Sequence, residues 1–265
     1  MSSIAVPLWP ESWTGSYLFL IRNLIVKDFR VRYRNMSLGV FWSLLNPLIM
    51  LGVMWFVFTK IFPNNAIPHF SAFILCGLVP YNFFTVAWVT GTTSILENAS
   101  LMKRVPVPRV IIPITAVLSN VVHLLIQIGL LLTAVLLAGK WPHWNWFWLV
   151  LVWGCEIAFV CGLSLIFSAL NVYIRDVRYV VESINVVLFW LVPIFYDFSN
   201  ILPKYRDIYL YNPVAALVLA SRYVLLDSGA PPESLLFKLV LSSGAMLLLG
   251  LLVFKKLQSG FYNYL

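Results

Sequence analysis

Charged residues are scarce in this chain. Asp, Glu, Lys and Arg make up 11% of its 265 residues, whereas hydrophobic residues make up 61%. Soluble domains contain about 25% charged and about 45–50% apolar residues. So apolar a composition excludes an ordinary water-soluble domain and predicts a protein that lies in a lipid bilayer.

Short catalytic motifs are missing as well. The phosphate-binding pattern GxxxxGK[ST] does not occur, and the one Gly-Lys pair, Gly139-Lys140, is followed by Trp141. Neither HExxH nor GxSxG is present, and the ten Asp and Glu residues are scattered. The three cysteines form no CxxC pair and lie in apolar runs: Cys76, Cys155 and Cys161. We therefore expect no catalytic residue, no metal site and no cofactor in this chain, and no feature indicates nucleic-acid binding.

Six long apolar runs are present instead, each about long enough to cross ~30 Å of hydrocarbon. They cover residues 38–59, 70–95, 110–138, 146–170, 180–196 and 235–254. In lipid, backbone polar groups must be hydrogen-bonded within the protein, so the runs form helices or a closed barrel. Their continuity excludes barrel strands, whose apolar residues alternate. We predict an all-α membrane protein with six transmembrane helices and a single transmembrane domain over residues 1–265.

Positive charge is distributed unevenly around these runs. Twelve of the 18 Lys and Arg residues fall on one side of the predicted membrane: Arg22, Lys27, Arg30, Arg32, Arg34, Lys103, Arg104, Arg109, Arg175, Arg178, Lys255 and Lys256. Cytoplasmic loops carry the excess of Lys and Arg in membrane proteins. The N- and C-termini are therefore both predicted to be cytoplasmic.

Two cytoplasmic segments outside the runs are predicted to be amphipathic. Residues 17–35 form a helix with a basic face and an apolar face, which is typical of a helix lying in the membrane interface. It serves either as an anchor to anionic lipid or as a gate or headgroup-binding helix. Residues 97–104 form a short helix before Pro106 and Pro108, which suits docking to a soluble partner, or else a solvated turn.

The segment between the last two runs is irregular. Val214–Ala220 is apolar over only seven residues, which favours a re-entrant or interfacial segment over a span. If it did span, the C-terminal Lys255 and Lys256 would lie outside, against the charge distribution.

Several short patterns also occur in a characteristic order. The spacing LG-x-x-W-x-x-x-x-P is met by Leu38, Gly39, Trp42 and Pro47. Four more patterns follow: LMKRVPVPRVIIP at 101–113, YIRDVRYVV at 173–181, LVPIFY at 191–196 and YNPVAALVLASR at 211–222. From about residue 15 onwards, the chain resembles the permease subunits of bacterial ABC exporters of polysaccharides and polyol phosphates.

This resemblance implies an architecture and partners. The family implies six spans with both ends inside, an interfacial helix at 17–35, a coupling helix at 97–104 and an extracytoplasmic re-entrant hairpin at 199–228. It implies a homodimer in the bacterial cytoplasmic (inner) membrane with two copies of a separate ATPase, which binds ATP and Mg. The exported substrate would be a lipid-linked polymer such as O-antigen, capsule or teichoic acid, usually on an undecaprenyl carrier.

The resemblance also suggests roles for individual residues. Aromatic rings can stack against sugars, and those suggested to line the channel are Trp42, Tyr81, Phe84, Trp88, Trp190 and Tyr196. Ordinary packing or lipid contact is the alternative for each ring. Candidates for binding the carrier pyrophosphate or a lipid headgroup are Arg30, Arg32 and Arg34. Candidates for coupling to the ATPase are Glu97, Leu101, Met102, Lys103 and Arg104.

The function expected from this resemblance is transport, with ATP hydrolysis left to the partner subunit. Three alternatives stay open at this point. The same architecture could export a drug or a small lipid, or the chain could be a membrane enzyme of glycan or lipid metabolism. The third alternative is an ion-coupled transporter, which would depend on Glu156 or His123 within the spans.

Overall fold

The computed structural model describes residues 16–34, 39–61, 67–105, 107–202, 204–206 and 212–264. Within these ranges the chain is helical and contains no strand, which confirms the predicted all-α class. The helices are α1 (Tyr17–Tyr33), α2 (Trp42–Phe56), α3 (Phe70–Glu97), α4 (Ala99–Arg104), α5 (Ile111–Leu137), α6 (Trp148–Tyr173), α7 (Val177–Leu191), α8 (Pro213–Leu225) and α9 (Glu233–Leu257).

Five helical segments are long and apolar enough to cross a membrane. They are Trp42–Ile61, Phe70–Arg104, Ile111–Leu137, Trp144–Tyr173 and Glu233–Phe261. These segments coincide with the predicted first, second, third, fourth and sixth runs. The predicted start of the first run, at residue 38, lies outside the described residues.

The predicted fifth run, 180–196, is shorter as a helix than expected. α7 has 15 residues, which corresponds to about 22 Å of rise. It ends at Leu191 because Val192 precedes Pro193, and a residue before proline is pushed out of the helical region. Val192 accordingly has an extended backbone, with φ −87° and ψ 135°.

α3 lies at the centre of the bundle and contacts α2, α5, α6, α7 and α8. Its polar side chains bond to their own helix: Thr92 Oγ1 donates to Trp88 O at 2.8 Å, and Ser94 Oγ donates to Gly91 O at 2.7 Å. Such internal bonds remove the cost of burying a hydroxyl in an apolar environment. Thr92 and Ser94 are also buried, so this second half of α3 is enclosed by protein.

α8 is enclosed by protein almost all round. Asn212 caps its first turn by accepting a hydrogen bond from Val214 N at 3.1 Å, and residues 214–222 are buried. With 13 residues it is too short to cross a bilayer. The predicted re-entrant segment 199–228 includes positions 203 and 207–211, which lie outside the described residues.

α1 packs its apolar face against the end of the bundle at which α3 ends. Leu24 is buried in a cluster that includes Ile95 and Phe254, whereas Leu18 remains 79% exposed. The helix ends at Tyr33, two residues before the predicted end. At the same end of the bundle, Arg109 Nη1 donates to Gln258 O at 2.7 Å, and burial lowers the pKa of this arginine.

α6 and α9 approach each other closely through two glycines. A Cβ atom on Gly250 would lie 2.9 Å from Cα of Gly162, and a Cβ atom on Gly162 would overlap the backbone of Met246. Small residues allow backbones to meet at helix interfaces in membranes.

We predict that Gly162→Ala lowers the free energy of unfolding by about 1–3 kcal/mol, because the two backbones must separate. Gly154→Ala is the matched control, since Gly154 lies in the same helix as Gly162 and a Cβ atom on it would meet nothing within 4 Å. Thermal unfolding of the purified variants measures both effects. Equal melting temperatures for the two variants would contradict this account of the interface.

Candidate functional site

A groove crosses the face of α3 between α2 and α7. Its floor is Tyr81, Asn82 and Thr85 of α3. Three adjoining cavities form it, of about 250, 170 and 310 Å³, and neighbouring cavities share lining residues. The wall residues are Trp42, Asn46, Pro47 and Met50 on α2, and Asn185, Val186, Phe189 and Trp190 on α7. We call this surface the α3 groove.

A network of hydrogen bonds holds one end of the α3 groove. Tyr33 Oη is hydrogen-bonded to Ser43 Oγ at 2.6 Å and to His123 Nδ1 at 2.7 Å, and Ser43 Oγ lies 2.8 Å from His123 Nδ1. Gln127 Nε2 donates to Ser43 O at 3.0 Å, and Asn82 Nδ2 donates to Gln127 Oε1 at 3.3 Å. The network ties the end of α1 to α2, α3 and α5.

Amide and aromatic side chains dominate the chemistry of the α3 groove. Among the residues that the structure describes, Glu182 is the one acidic residue in its lining, and no Lys or Arg lines the three cavities. Asn185 is buried, and its amide group has no hydrogen-bond partner among the described residues. Amides donate and accept hydrogen bonds, and rings offer apolar faces, so the surface suits an uncharged ligand rich in hydroxyl groups.

Comparison with known proteins identifies the family. The family model described as "ABC-2 type transporter" matches residues 20–226. The chain belongs to the ABC-2 transporter family. It is 31% identical over 252 residues to the O-antigen export system permease protein RfbA of Klebsiella pneumoniae, covering 94% of this chain and 96% of that protein.

Two further relatives have names that specify polysaccharides. The polysialic acid transport protein KpsM of Escherichia coli is 27% identical over 207 residues, covering 76% of this chain and 79% of KpsM. The capsule polysaccharide export inner-membrane protein BexB of Haemophilus influenzae is 26% identical over 249 residues, covering 91% of this chain and 92% of BexB. These matches confirm the resemblance that the sequence patterns indicated.

In this ABC-2 chain, the α3 groove contains three of the six predicted channel aromatics. Trp42 and Trp190 are 48% and 62% exposed on opposite walls. Tyr81 lies in the floor, and its hydroxyl donates to Asn185 O. Tyr196 lies beyond the end of α7, where its hydroxyl donates to Trp190 O at 3.2 Å.

Phe84 and Trp88 lie outside the α3 groove. They are 1% and 3% exposed, and they turn toward α6. Phe84 packs 6.4 Å from Phe159 and Trp88 lies 5.1 Å from Phe167, measured between ring centroids. The side chains of α6 therefore cover these two rings in this structure, and a channel role for them stays a prediction. A channel role for them would require α3 and α6 to separate.

The predicted basic and coupling residues lie at the end of the bundle that contains α4. Arg30, in the second half of α1, and Arg34, which directly follows α1, are exposed, and the side chain of Arg32 lies outside the described part of the chain. The predicted helix 97–104 is interrupted, because Glu97 ends α3 and Asn98 forms a turn before α4. Four predicted coupling residues follow in α4, with two half-buried and two exposed: Leu101 and Met102, then Lys103 and Arg104.

Several residues of the α3 groove, including two on α7, were not among the predicted site residues. Asn185 and Phe189 lie on the α7 wall. An asparagine within an otherwise apolar run was the available signal for Asn185, since a lipid-facing amide is costly. Among the described residues, no group of three or more His, Cys, Asp or Glu side chains is placed to hold a metal ion.

We predict that Tyr33→Phe destabilises the attachment of α1, because it removes the hydroxyl shared by Ser43 and His123. The expected loss is about 1 kcal/mol, seen as a lower melting temperature of the purified protein. Tyr179→Phe is the control, because Tyr179 is 65% exposed on α7. A Tyr33 variant as stable as the control would show that the network does not contribute to stability.

Proposed function

We propose that this protein is the permease subunit of an ATP-driven exporter that moves a cell-surface polysaccharide across the bacterial inner membrane. The observation that carries the proposal is an open groove, lined by amides and aromatic rings, on the face of an ABC-2 chain. Sugar hydroxyls bond to amides, and sugar C–H faces stack on rings, so a polymer can slide past many weak contacts. The names of the relatives agree with this substrate class.

The proposed topology has six spans with both termini in the cytoplasm. α7 is the shortest span, and the extended residues that follow it complete the crossing. α8 belongs to a re-entrant hairpin on the outer side. Its burial supports this position, because a short segment within the membrane must be covered by protein.

The proposed assembly is a homodimer. The α2 face beside the α3 groove is apolar and uncovered in the single chain, with Ile49, Val53 and Phe56 exposed. Val186 and Val187 of α7 are exposed as well. A second copy packed on these walls would close the two grooves into a conduit between the subunits.

A lipid-linked polymer is the proposed cargo, with an undecaprenyl carrier. Arg30 lies on α1, Arg34 directly follows it, and both are exposed. Tyr33, the last residue of α1, lines the α3 groove. Guanidinium groups bind phosphates in a bidentate manner, so these arginines would hold the carrier phosphates beside the entrance. The polymer is O-antigen, capsule or teichoic acid.

Two copies of a separate ATPase would supply the energy, with ATP and Mg bound there. α4 is the proposed docking helix. Asn98, at its start, accepts a hydrogen bond from Lys27 Nζ of α1 at 2.6 Å. Tyr33, the last residue of α1, lines the α3 groove. A push on α4 would therefore move α1 and open the entrance.

We predict that Trp42→Ala and Trp190→Ala each reduce polymer export by roughly threefold to tenfold, because each removes a ring that stacks on the sugar. Surface polymer in cells measures export, and copurification with the ATPase confirms that the exporter is assembled. Trp144→Ala is the matched control, because that ring is exposed outside the α3 groove. Normal export by both groove variants would contradict the proposal that the polymer moves along the α3 groove.

We predict that the double variant Lys103→Glu, Arg104→Glu weakens copurification of the ATPase, because it reverses the charge of the exposed end of α4. The permease should keep its melting temperature, since both side chains are exposed. Lys255→Glu, an exposed lysine at the end of α9, is the control. Equal recovery of the ATPase with both proteins would count against α4 as the docking helix.

A further inference from the structure

A second cavity lies at the opposite end of α3 from α4. The start of α3, the loop after α5, residues 197–199, Arg206 and α8 enclose about 440 Å³. This volume is typical of small-molecule sites, which are ~300–1,000 Å³. Its ionisable and imidazole side chains are His69, Lys140, Asp197, Arg206, Arg222 and Asp227. We call it the α8 cavity.

Arg222 is the buried cation of the α8 cavity. The residue is 6% exposed, and its guanidinium carbon lies 3.5 Å from the centre of the Phe73 ring. Nη2 donates to Ile194 O at 2.7 Å and to Phe73 O at 3.5 Å, but Nε and Nη1 have no partner among the described residues. Burying a charged group is costly unless acceptors or an opposite charge compensate it. Two carbonyls and one ring leave Nε and Nη1 of this cation, both enclosed by protein, without an acceptor beside a cavity that Arg222 lines.

Two more cations line the same cavity. Arg206 is held in place because Nε donates to Ile201 O at 2.9 Å and Nη2 donates to Ser199 O at 2.7 Å. Lys140 is half-buried and forms no salt bridge within the described part of the chain. The cavity wall therefore presents one buried and two half-buried cations, of which Arg222 and Arg206 are held by hydrogen bonds.

The two carboxylates of the α8 cavity do not cancel this charge. Asp197 Oδ1 accepts a hydrogen bond from Ser199 N at 3.2 Å within its own loop. Partial burial raises the pKa of the Asp227 carboxyl, and the nearby Lys140 opposes that shift. Three cationic side chains face two acidic ones, so the lining keeps a positive excess.

We propose that the α8 cavity binds an oxyanion, the carboxylate or phosphate of one ligand, through Arg222, Arg206 and Lys140. Guanidinium groups form short, charge-assisted hydrogen bonds with both kinds of oxyanion. The site differs from the α3 groove, whose lining contains no Lys or Arg. The two are nevertheless adjacent, because Arg222 bonds to Ile194, which follows the α7 wall.

Two sources could present this anion to the cavity. One is an acidic or phosphorylated sugar, and the other is the phosphate of a lipid headgroup at the outer surface. Trp141 and Trp144, which follow Lys140, are 75% and 85% exposed, and such rings favour the headgroup layer. The chemistry of recognition is the same for both sources, and the lipid around the protein can be varied to separate them.

The test uses the full-length protein in phosphatidylcholine nanodiscs, titrated calorimetrically with glucuronate, glucose 1-phosphate and glucose. We expect both anions to bind and glucose not to bind. Lys140→Gln and Arg206→Gln should each weaken binding by roughly twofold to fivefold, and Arg222→Gln by about tenfold. The first two variants keep the test decisive if the buried Arg222 variant fails to fold.

Lys204→Gln is the matched control, because Lys204 is exposed near Arg206 and does not line the cavity. In nanodiscs that contain phosphatidylglycerol, loss of sugar-anion binding identifies a lipid phosphate as the occupant, and unchanged binding identifies the sugar. Retention of phosphatidylglycerol by wild type and Lys140→Gln, compared by native mass spectrometry, tests the lipid directly. Equal affinity for glucose and glucuronate would overturn the proposal. So would binding, of sugar anion or lipid, that Lys140→Gln and Arg206→Gln leave unchanged, or no binding at all.

Discussion

A polar group that enters hydrocarbon without a partner costs several kcal/mol, and this constraint explains where the polar side chains of the bundle lie. The hydroxyls of Thr92 and Ser94 donate hydrogen bonds to backbone carbonyls of α3 itself. Asn82 and Gln127 instead bond to each other across two helices, where the groove begins. Polar residues therefore mark the helix faces that protein or substrate covers, and the bundle arranges itself around α3 to cover them.

The same constraint separates two binding surfaces by charge. The α3 groove is wide, contains mostly amides and rings, and suits repeated weak contacts with a neutral polymer. The α8 cavity concentrates buried positive charge around Arg222, where a single anion gains strong hydrogen bonds. In the proposed function, the α3 groove lets the polymer slide while the α8 cavity holds one charged group. Both surfaces depend on α3, which contributes the floor of one and Phe73 to the other.

The fold class and most helix bounds could be predicted because each apolar run has to be a helix in lipid. The predicted run 70–95 became Phe70–Glu97, and 110–138 became Ile111–Leu137. The helix of the fifth run, α7, ends at Leu191, before the predicted end at residue 196. The apolar sequence continues past Leu191, but Pro193 ends the helix. The turn at Asn98, which separates Glu97 from α4, was likewise invisible to composition.

The sequence by itself determined a helical membrane protein, its family, and the residue types available for binding sugar and phosphate. Only the tertiary structure decided which of these residues are accessible. Trp42 and Trp88 were both predicted to line the channel, yet Trp42 is 48% exposed in the groove and Trp88 is 3% exposed beside Phe167 of α6. The reason is physical: exposure depends on which neighbouring helix packs over a side chain, and helices distant in the chain supply those neighbours. Likewise, Arg222 bonds to Ile194, packs on Phe73 and shares a cavity with Lys140. No local sequence pattern predicts that these residues come together.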